Sequence, residues 1–581
     1  MRRRSQAGGC WGLGAALGLV AALAGNLGCR GVIGETDPQP RTIGGTDPGT
    51  GAGAGTGVGN GLPTTGAGGS GTVSGDPGSP VPSVLVARLT NQQYTNTLND
   101  LFPGITIQPG TLPTENIVGG FENVSVAQTP SAELIEGYRA TAQGAATAAT
   151  ADLTKVLPCT VKTAADEVPC GQQFVAAFGK AAFRRPLTSD ENTRMVSFFQ
   201  TARSTYDFKT AIGMVIQAFL QAPQFLYRVQ LGGADAQGGF VSLTSYEVAS
   251  RLSYLLWDTM PDKSLITAAD AGQLGTADQV EQQARRLLAD PRAHTSVANF
   301  HRQWLRFSRL DGMVKDPAAF PEWSAAMDQA MIDSVKRFVE HEFWDMGTLD
   351  SFLTDNHVYV NDALAPIYGV PAPGSSALTL VAADANQRAG IMTQAGLLAG
   401  FAHEVYDSPV LRGVFVLDRL LCAAPSPPPP GVNLTLPATI NGPQTTRQMF
   451  EQGHEQGACA GCHKQIDGIG FGFESYDAVG AWRTTDNGLP VDHTGQVTGS
   501  KDLDGPYDGA VELARKMAAS QGVQSCVASK WLGYALGLEK VPDAALAPLA
   551  QNFIAGGRNL QELLVELVRS DAFRLRPAST P

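Results

Sequence analysis

Two cysteines and a histidine in the run Ala458-Cys459-Ala460-Gly461-Cys462-His463 limit what this chain can fold into more than any other feature. Cys-x-x-Cys-His is the attachment sequence for a c-type haem. Thiols three residues apart reach the two vinyl groups on one edge of the porphyrin and form thioethers. The adjoining His463 is then turned under the iron, where a neutral imidazole serves as an axial ligand. The preceding run from Thr446 to His454, with Met449, Phe450 and Gln452, predicts a helix that carries the motif at its end. The same residues also admit a zinc half-site, a thioredoxin-like redox pair or an ordinary disulfide. The partner Cys-x-x-Cys or His-x-x-x-His that would close a zinc site is missing. No βαβ pattern surrounds the pair to support a redox motif.

Arg2, Arg3 and Arg4 precede an apolar segment from Trp11 to Leu27. That is a basic n-region and an h-region, hence an export signal. It ends at Leu27-Gly28-Cys29, which resembles the cleavage and lipidation site of a bacterial lipoprotein. Asn26 departs from that pattern and leaves cleavage elsewhere, or an uncleaved anchor, open. No other stretch approaches the ~20 apolar residues of a spanning helix. Residues 30–83 are Gly, Thr, Pro and Ser with almost no large apolar side chain, too few to offset chain entropy, and are expected to form a flexible linker. The expected location is the periplasm or outer membrane, with the cell surface as a further alternative. The contact with the membrane runs through the lipid on Cys29.

The remainder is expected to be mainly α, several helical domains in series. At 581 residues with 43% hydrophobic content, the chain can bury substantial cores. Its net charge of -12 argues against nucleic acid as a partner. Three capping boxes start helices: Thr90 with Gln93, Thr188 with Glu191, and Thr244 with Glu247. Behind the first, Tyr94, Leu98, Leu101 and Phe102 share a face until Pro103 and Gly104. Behind the third, Val248, Leu252, Leu255 and Leu256 do the same. Helical patterns continue over Gln279 to Phe307, Ala325 to Trp344, Val414 to Leu421, Val511 to Ala519, Val523 to Leu536 and Leu560 to Val568, and Leu378 to Val381 is a weak strand. His341-Glu342 lacks a second His at metalloprotease spacing and reads as a solvated helix face. Pro427 to Pro430 reads as a stiff spacer ahead of the haem segment.

Setting aside Cys10 in the signal, Cys29, Cys459 and Cys462 leaves four cysteines. They form a near pair, Cys159 and Cys170, and a distant pair, Cys422 and Cys526. An even remainder in an exported chain implies two disulfides, with three connectivities open. Short-range and long-range pairing is the expected one.

The order of motifs along the chain is itself informative. Arg88-Leu89-Thr90 with Tyr94 and Asp100-Leu101-Phe102 comes first, then Phe183-Arg184-Arg185-Pro186-Leu187-Thr188. Pro223-Gln224-Phe225-Leu226-Tyr227-Arg228 and Arg251-Leu252-Ser253-Tyr254 with Trp257 follow. Val360-Asn361 with Tyr368-Gly369, Arg388-Ala389-Gly390, Ser408-Pro409, Arg412-Gly413, the haem segment and Tyr534-Ala535-Leu536-Gly537 complete the series. This resembles the uncharacterised family of large secreted bacterial proteins built from five successive domains of unknown function. They are catalogued as fifteen-eighty-seven, fifteen-ninety-five, fifteen-ninety-two, fifteen-eighty-eight and fifteen-eighty-five. The resemblance implies a c-type haem near the C-terminus and a place in the cell envelope, and it supplies no reaction.

The expected organisation is a signal over 1–29, a linker over 30–83, and helical domains over 84–150, 155–230 and 239–370. A domain with a cytochrome c-like haem segment follows over 385–490, then a C-terminal helical domain over 491–576. The expected cofactor is one covalently attached haem c. Cys459 and Cys462 attach it and His463 ligates iron. Phe471 and Phe473 are candidates to pack on the ring. Arg483 is a candidate for a propionate, or for structural pairing with Glu474 or Asp477. Met517 is the favoured sixth ligand, with His493 as the alternative. His454 is expected to share the helix that delivers His463 and to reach a propionate or another outer contact. Electron transfer with a redox partner protein in the envelope, or a haem-dependent oxidation, is the expected function. The alternative is a surface binding or scaffold protein, for example for polysaccharide, in which haem is secondary. No nucleophile triad, phosphate loop or paired-carboxylate motif stands out.

Overall fold

A computed structural model of the chain describes residues 81–82, 86–233, 236–427, 443–454 and 460–578. The export signal, Cys29, nearly all of the linker, most of the proline run and Cys459 lie outside the described residues. Those described are mainly helical. Among them no helix is long and apolar enough to cross a membrane.

The three capping boxes form. Thr90, Thr188 and Thr244 each accept the amide three residues on, and Gln93, Glu191 and Glu247 accept the cap's own amide in return. Thr276 and Gln279 make the same exchange at the head of Ala277–Leu288. The pattern from Gln279 to Phe307 is not one helix. It divides into Ala277–Leu288 and Arg292–Trp304 at Pro291, which has no N–H to donate to the preceding turn. Leu378 to Val381 is a strand shifted by one residue, Thr379–Ala382, antiparallel to His357–Val360.

Buried side chains gather into three clusters. One draws Tyr94, Tyr138, Phe174, Phe219 and Phe225 from the first two helical stretches into a shared core. Helix Ala132–Ala151 packs there against Phe208–Leu220, its buried face rich in alanine so that the two backbones approach closely. Strands Val86–Arg88 and Tyr227–Val229 tie the ends of this part together, with Ala87 opposite Arg228. The largest cluster runs from Phe121 to Phe573 and takes in the central, haem-segment and C-terminal residues. At its centre Phe300 stacks on Trp531 at 3.5 Å. His301 sits among Trp304, Phe343 and Phe352, and burial pushes its imidazole down to about 4. It is a neutral core residue at pH 7. The third cluster includes Met331, Val358, Tyr368 and Val479.

The reading of His341-Glu342 as a solvated face is corrected. Helix Ala325–His341 opens at Glu342 into a π turn, Glu342–Met346, whose extra residue shifts the face presented to the core. Glu342 is fully buried. Burial, and then the neighbouring Asp355, push its carboxyl up to about 8. His341, Glu342 and Asp355 bring three ligand atoms within 4.8 Å of one another.

Both disulfides form, Cys159–Cys170 and Cys422–Cys526. The second closes a separation of 104 residues and links the end of Val416–Leu420 to helix Gln521–Leu536, on either side of the haem motif. Such bonds persist in oxidising compartments.

Candidate functional site

Helix Thr446–His454 forms with the boundaries the sequence predicts. Thr445 Oγ1 accepts the Gln448 amide at 3.2 Å and Gln448 Oε1 accepts the Thr445 amide at 3.1 Å, so one more capping box sets its start. Phe450 anchors it in the interior, and the Arg447 guanidinium lies 4.5 Å from the Phe471 ring centroid.

Cys462 and His463 do not continue that helix. They lie in the first turn of a second one, Ala460–Gly470. The Cys462 thiol is free and exposed. His463 is half-buried, and its Nδ1 is 3.1 Å from each oxygen of Asp467, one turn further on. An imidazole beside a carboxylate carries its proton on that nitrogen, so Nε2 of His463 keeps its lone pair. No described residue bonds Nε2. His454 corrects the expectation of a shared helix: it ends the first helix, and its ring faces that of His463 with centroids 3.6 Å apart. Its Nδ1 reaches the same Asp467 at 2.7 Å. One buried carboxylate thus orients both imidazoles. His454, His463 and Asp467 also bring three ligand atoms within 4.8 Å, a set with room for a small cation.

Glycines place the second helix. A Cβ on Gly470 would stand 1.9 Å from the Pro409 carbonyl oxygen, and one on Gly413 would stand 2.1 Å from that of Ile466. Helices Pro409–Phe415 and Ala460–Gly470 can cross this closely only with glycine on both sides. Tyr507 closes the far end by donating to the Ile469 carbonyl at 2.6 Å, its ring fitting where Gly472 and Gly495 have no side chain.

Two arginines from the resembling motifs hold the segment that follows. Arg412 is buried and donates to the carbonyls of Phe473, Tyr476, Asp477 and Leu398, and to Asp407. Arg388, also buried, donates to Thr393, Ile367 and Gly480 carbonyls and lies over the Tyr368 and Tyr476 rings. Arg483 is ion-paired with Asp407 at 2.8 Å and Asp486 at 2.9 Å, with Glu474 at 3.8 Å. Asp477 turns instead to the amides of Val479 and Ala481. Burial, and then Asp407, push the Glu474 carboxyl well above the usual range. Arg483 therefore already has carboxylate partners.

The other candidates are dispersed. Phe471 and Phe473 are buried, and helix Gly509–Ala519 packs on the turn they form. Met517 lies on that helix, fully buried. His493 has both nitrogens engaged, Nδ1 with the Ser475 hydroxyl at 2.5 Å and Nε2 with Asp508 at 3.0 Å. Sequence reasoning gave no role to Asp467, although its i+4 spacing from His463 was a usable signal. A covalently held haem fits the described residues at Cys462, whose thiol is open, and at His463, whose tautomer leaves Nε2 for a metal.

Five family models match the chain in series, each described as a protein of unknown function: DUF1587 over residues 87–151, DUF1595 over 170–230, DUF1592 over 243–370, DUF1588 over 388–486 and DUF1585 over 505–573. The residues of the haem motif fall within the fourth match. No curated protein and no solved structure matches the chain.

Proposed function

Since the chain belongs to the uncharacterised family built from these five domains in series, we propose that it is an exported c-type haem protein, tethered to the envelope through Cys29, that passes electrons to or from a redox partner. The observation that carries this reading is the Asp467 carboxylate on Nδ1 of His463, beside the open thiol of Cys462. Cys459 and Cys462 would attach the haem and His463 would bind its iron through Nε2. The bound group would supply a one-electron couple. Asp467 holds the imidazole in one tautomer, while His454 shares that carboxylate and braces the ring. Gly413 and Gly470 fix the position of the helix that carries Cys462, His463 and Asp467.

The sixth ligand decides between electron transfer and binding of small molecules. Met517 is the proposed ligand and would have to leave its buried position in the core, whereas His493 would have to give up its contacts with Ser475 or Asp508. Met517→Leu keeps the side-chain volume and so the packing. The oxidised wild-type protein is expected to be six-coordinate and low-spin, with a near-infrared Met–iron charge-transfer band that this variant loses. An unchanged band in Met517→Leu, with a changed spectrum in His493→Ala, would give the role to His493.

A further inference from the structure

The motifs Phe183 to Thr188 and Pro223 to Arg228 meet around a cavity of about 630 Å³. Small-molecule sites run to ~300–1,000 Å³. Pro186, Leu187, Pro223 and Tyr227 give it apolar and aromatic walls. All but one of the charged side chains on the rim already have hydrogen-bond partners. Arg184 donates to the carbonyls of Ala182, Phe225, Gln224 and Tyr227. Arg185 makes two bonds to Glu191, at 2.8 and 2.9 Å. The Glu247 carboxylate accepts the amides of Leu231, Gly232 and Thr244.

Arg228 is the rim arginine left without hydrogen bonds. It is 6% exposed, and its Nε is buried without a hydrogen-bond partner. Among the described residues its guanidinium makes no hydrogen bond and no ion pair. It lies against the face of the Tyr254 ring at 5.4 Å, with the buried Asp258 carboxylate near enough to stabilise its charge and Arg184 near enough to oppose it. Pairing with Ala87 across two strands fixes its backbone, so the side chain is presented from a rigid element. Guanidinium groups stay charged when buried. Buried donors left without hydrogen bonds are costly, and a ligand that accepts from them removes that cost.

We propose that Arg228 anchors a binding site for a small organic carboxylate, whose apolar or ring-shaped body lies against Pro186, Pro223 and Tyr227. A planar guanidinium matches a carboxylate with two parallel bonds. A phosphate dianion would need further donors, and Arg184 and Arg185 have already committed theirs. The site is independent of the haem reading.

Titration calorimetry on the purified full chain tests this with benzoate, glucuronate and acetate, against neutral benzamide and glucose and against inorganic phosphate. Benzoate or glucuronate is expected to bind at least about tenfold more tightly than its neutral counterpart, because the uncharged analogue leaves the guanidinium unpaired. Which of the two binds distinguishes an aromatic acid from a sugar acid. Arg228→Met should abolish binding in a protein that still folds. Benzamide binding as tightly as benzoate, phosphate binding in preference, no carboxylate binding, or retained binding in Arg228→Met would each overturn the proposal. If that variant fails to fold, the comparison of charged and neutral probes on wild type decides alone.

Discussion

Replacing Cys422 and Cys526 together by alanine is expected to lower the unfolding free energy of the oxidised protein by roughly 4–5 kcal/mol, the chain-entropy value for a loop of about a hundred residues. The bond spans 104 positions and closes a loop that holds both helices of the haem segment and the Arg412 contacts beyond them. Without it, the unfolded chain regains the freedom of that whole loop. Cys159–Cys170 spans only 11 positions, and its removal should cost less. Urea unfolding with intact and with substituted pairs measures both. Equal midpoints for wild type and the Cys422/Cys526 variant would show that the long staple contributes nothing.

Arg412→Met is expected to cost roughly 3–5 kcal/mol, the range for breaking a buried charge network by removing one partner. Methionine fills the volume, so the loss comes from polar groups rather than a cavity. Asp407, fully buried, would keep only Arg483, and the carbonyls of Phe473, Tyr476 and Asp477 would lose their donor. Arg412→Lys should recover little, because an ammonium has three donors where the guanidinium has five in a fixed plane. The losses of Arg412→Met and Asp407→Asn should not add in the double variant, because both side chains belong to one network. Urea midpoints for the single and double variants give the comparison. An Arg412→Met protein within about 0.5 kcal/mol of wild type, the spread of ordinary surface changes, would refute the hub.

What was legible in the sequence was local. The boxes at Thr90, Thr188 and Thr244 were readable because donor and acceptor lie three residues apart. Helix Thr446–His454 was readable from the run that holds Met449, Phe450 and Gln452, and the box at Thr445 that starts it was not read. The turn of Glu342 into the core was hidden, because a single π turn leaves no mark on the apolar pattern. Arg388 and Arg412 were visible as motif residues but not as hubs, since a carbonyl acceptor has no side-chain signature and Arg412 and Phe473 are 61 positions apart. Gly413 and Gly470 carried the same limitation. Each looks like a loose point in a helix until the backbone it must pass is known. The pairing of His454 with His463 through Asp467 stood between these cases: the i+4 step from His463 to Asp467 was legible, and the approach of His454 to the same carboxylate was not.

The central claim is covalent haem at Cys459 and Cys462, and one measurement addresses it most directly. The full chain, made in a host with an intact haem-attachment pathway, is denatured in acid acetone, and the precipitate is analysed by mass and by its pyridine haemochrome spectrum. The account predicts a polypeptide heavier by one haem, with the spectrum of two thioethers, and a colourless product from Cys459→Ala with Cys462→Ala. A colourless wild-type protein of unmodified mass would contradict it. If that protein also released one equivalent of zinc to a chelator, the cluster of His454, His463 and Asp467 would be a cation site instead.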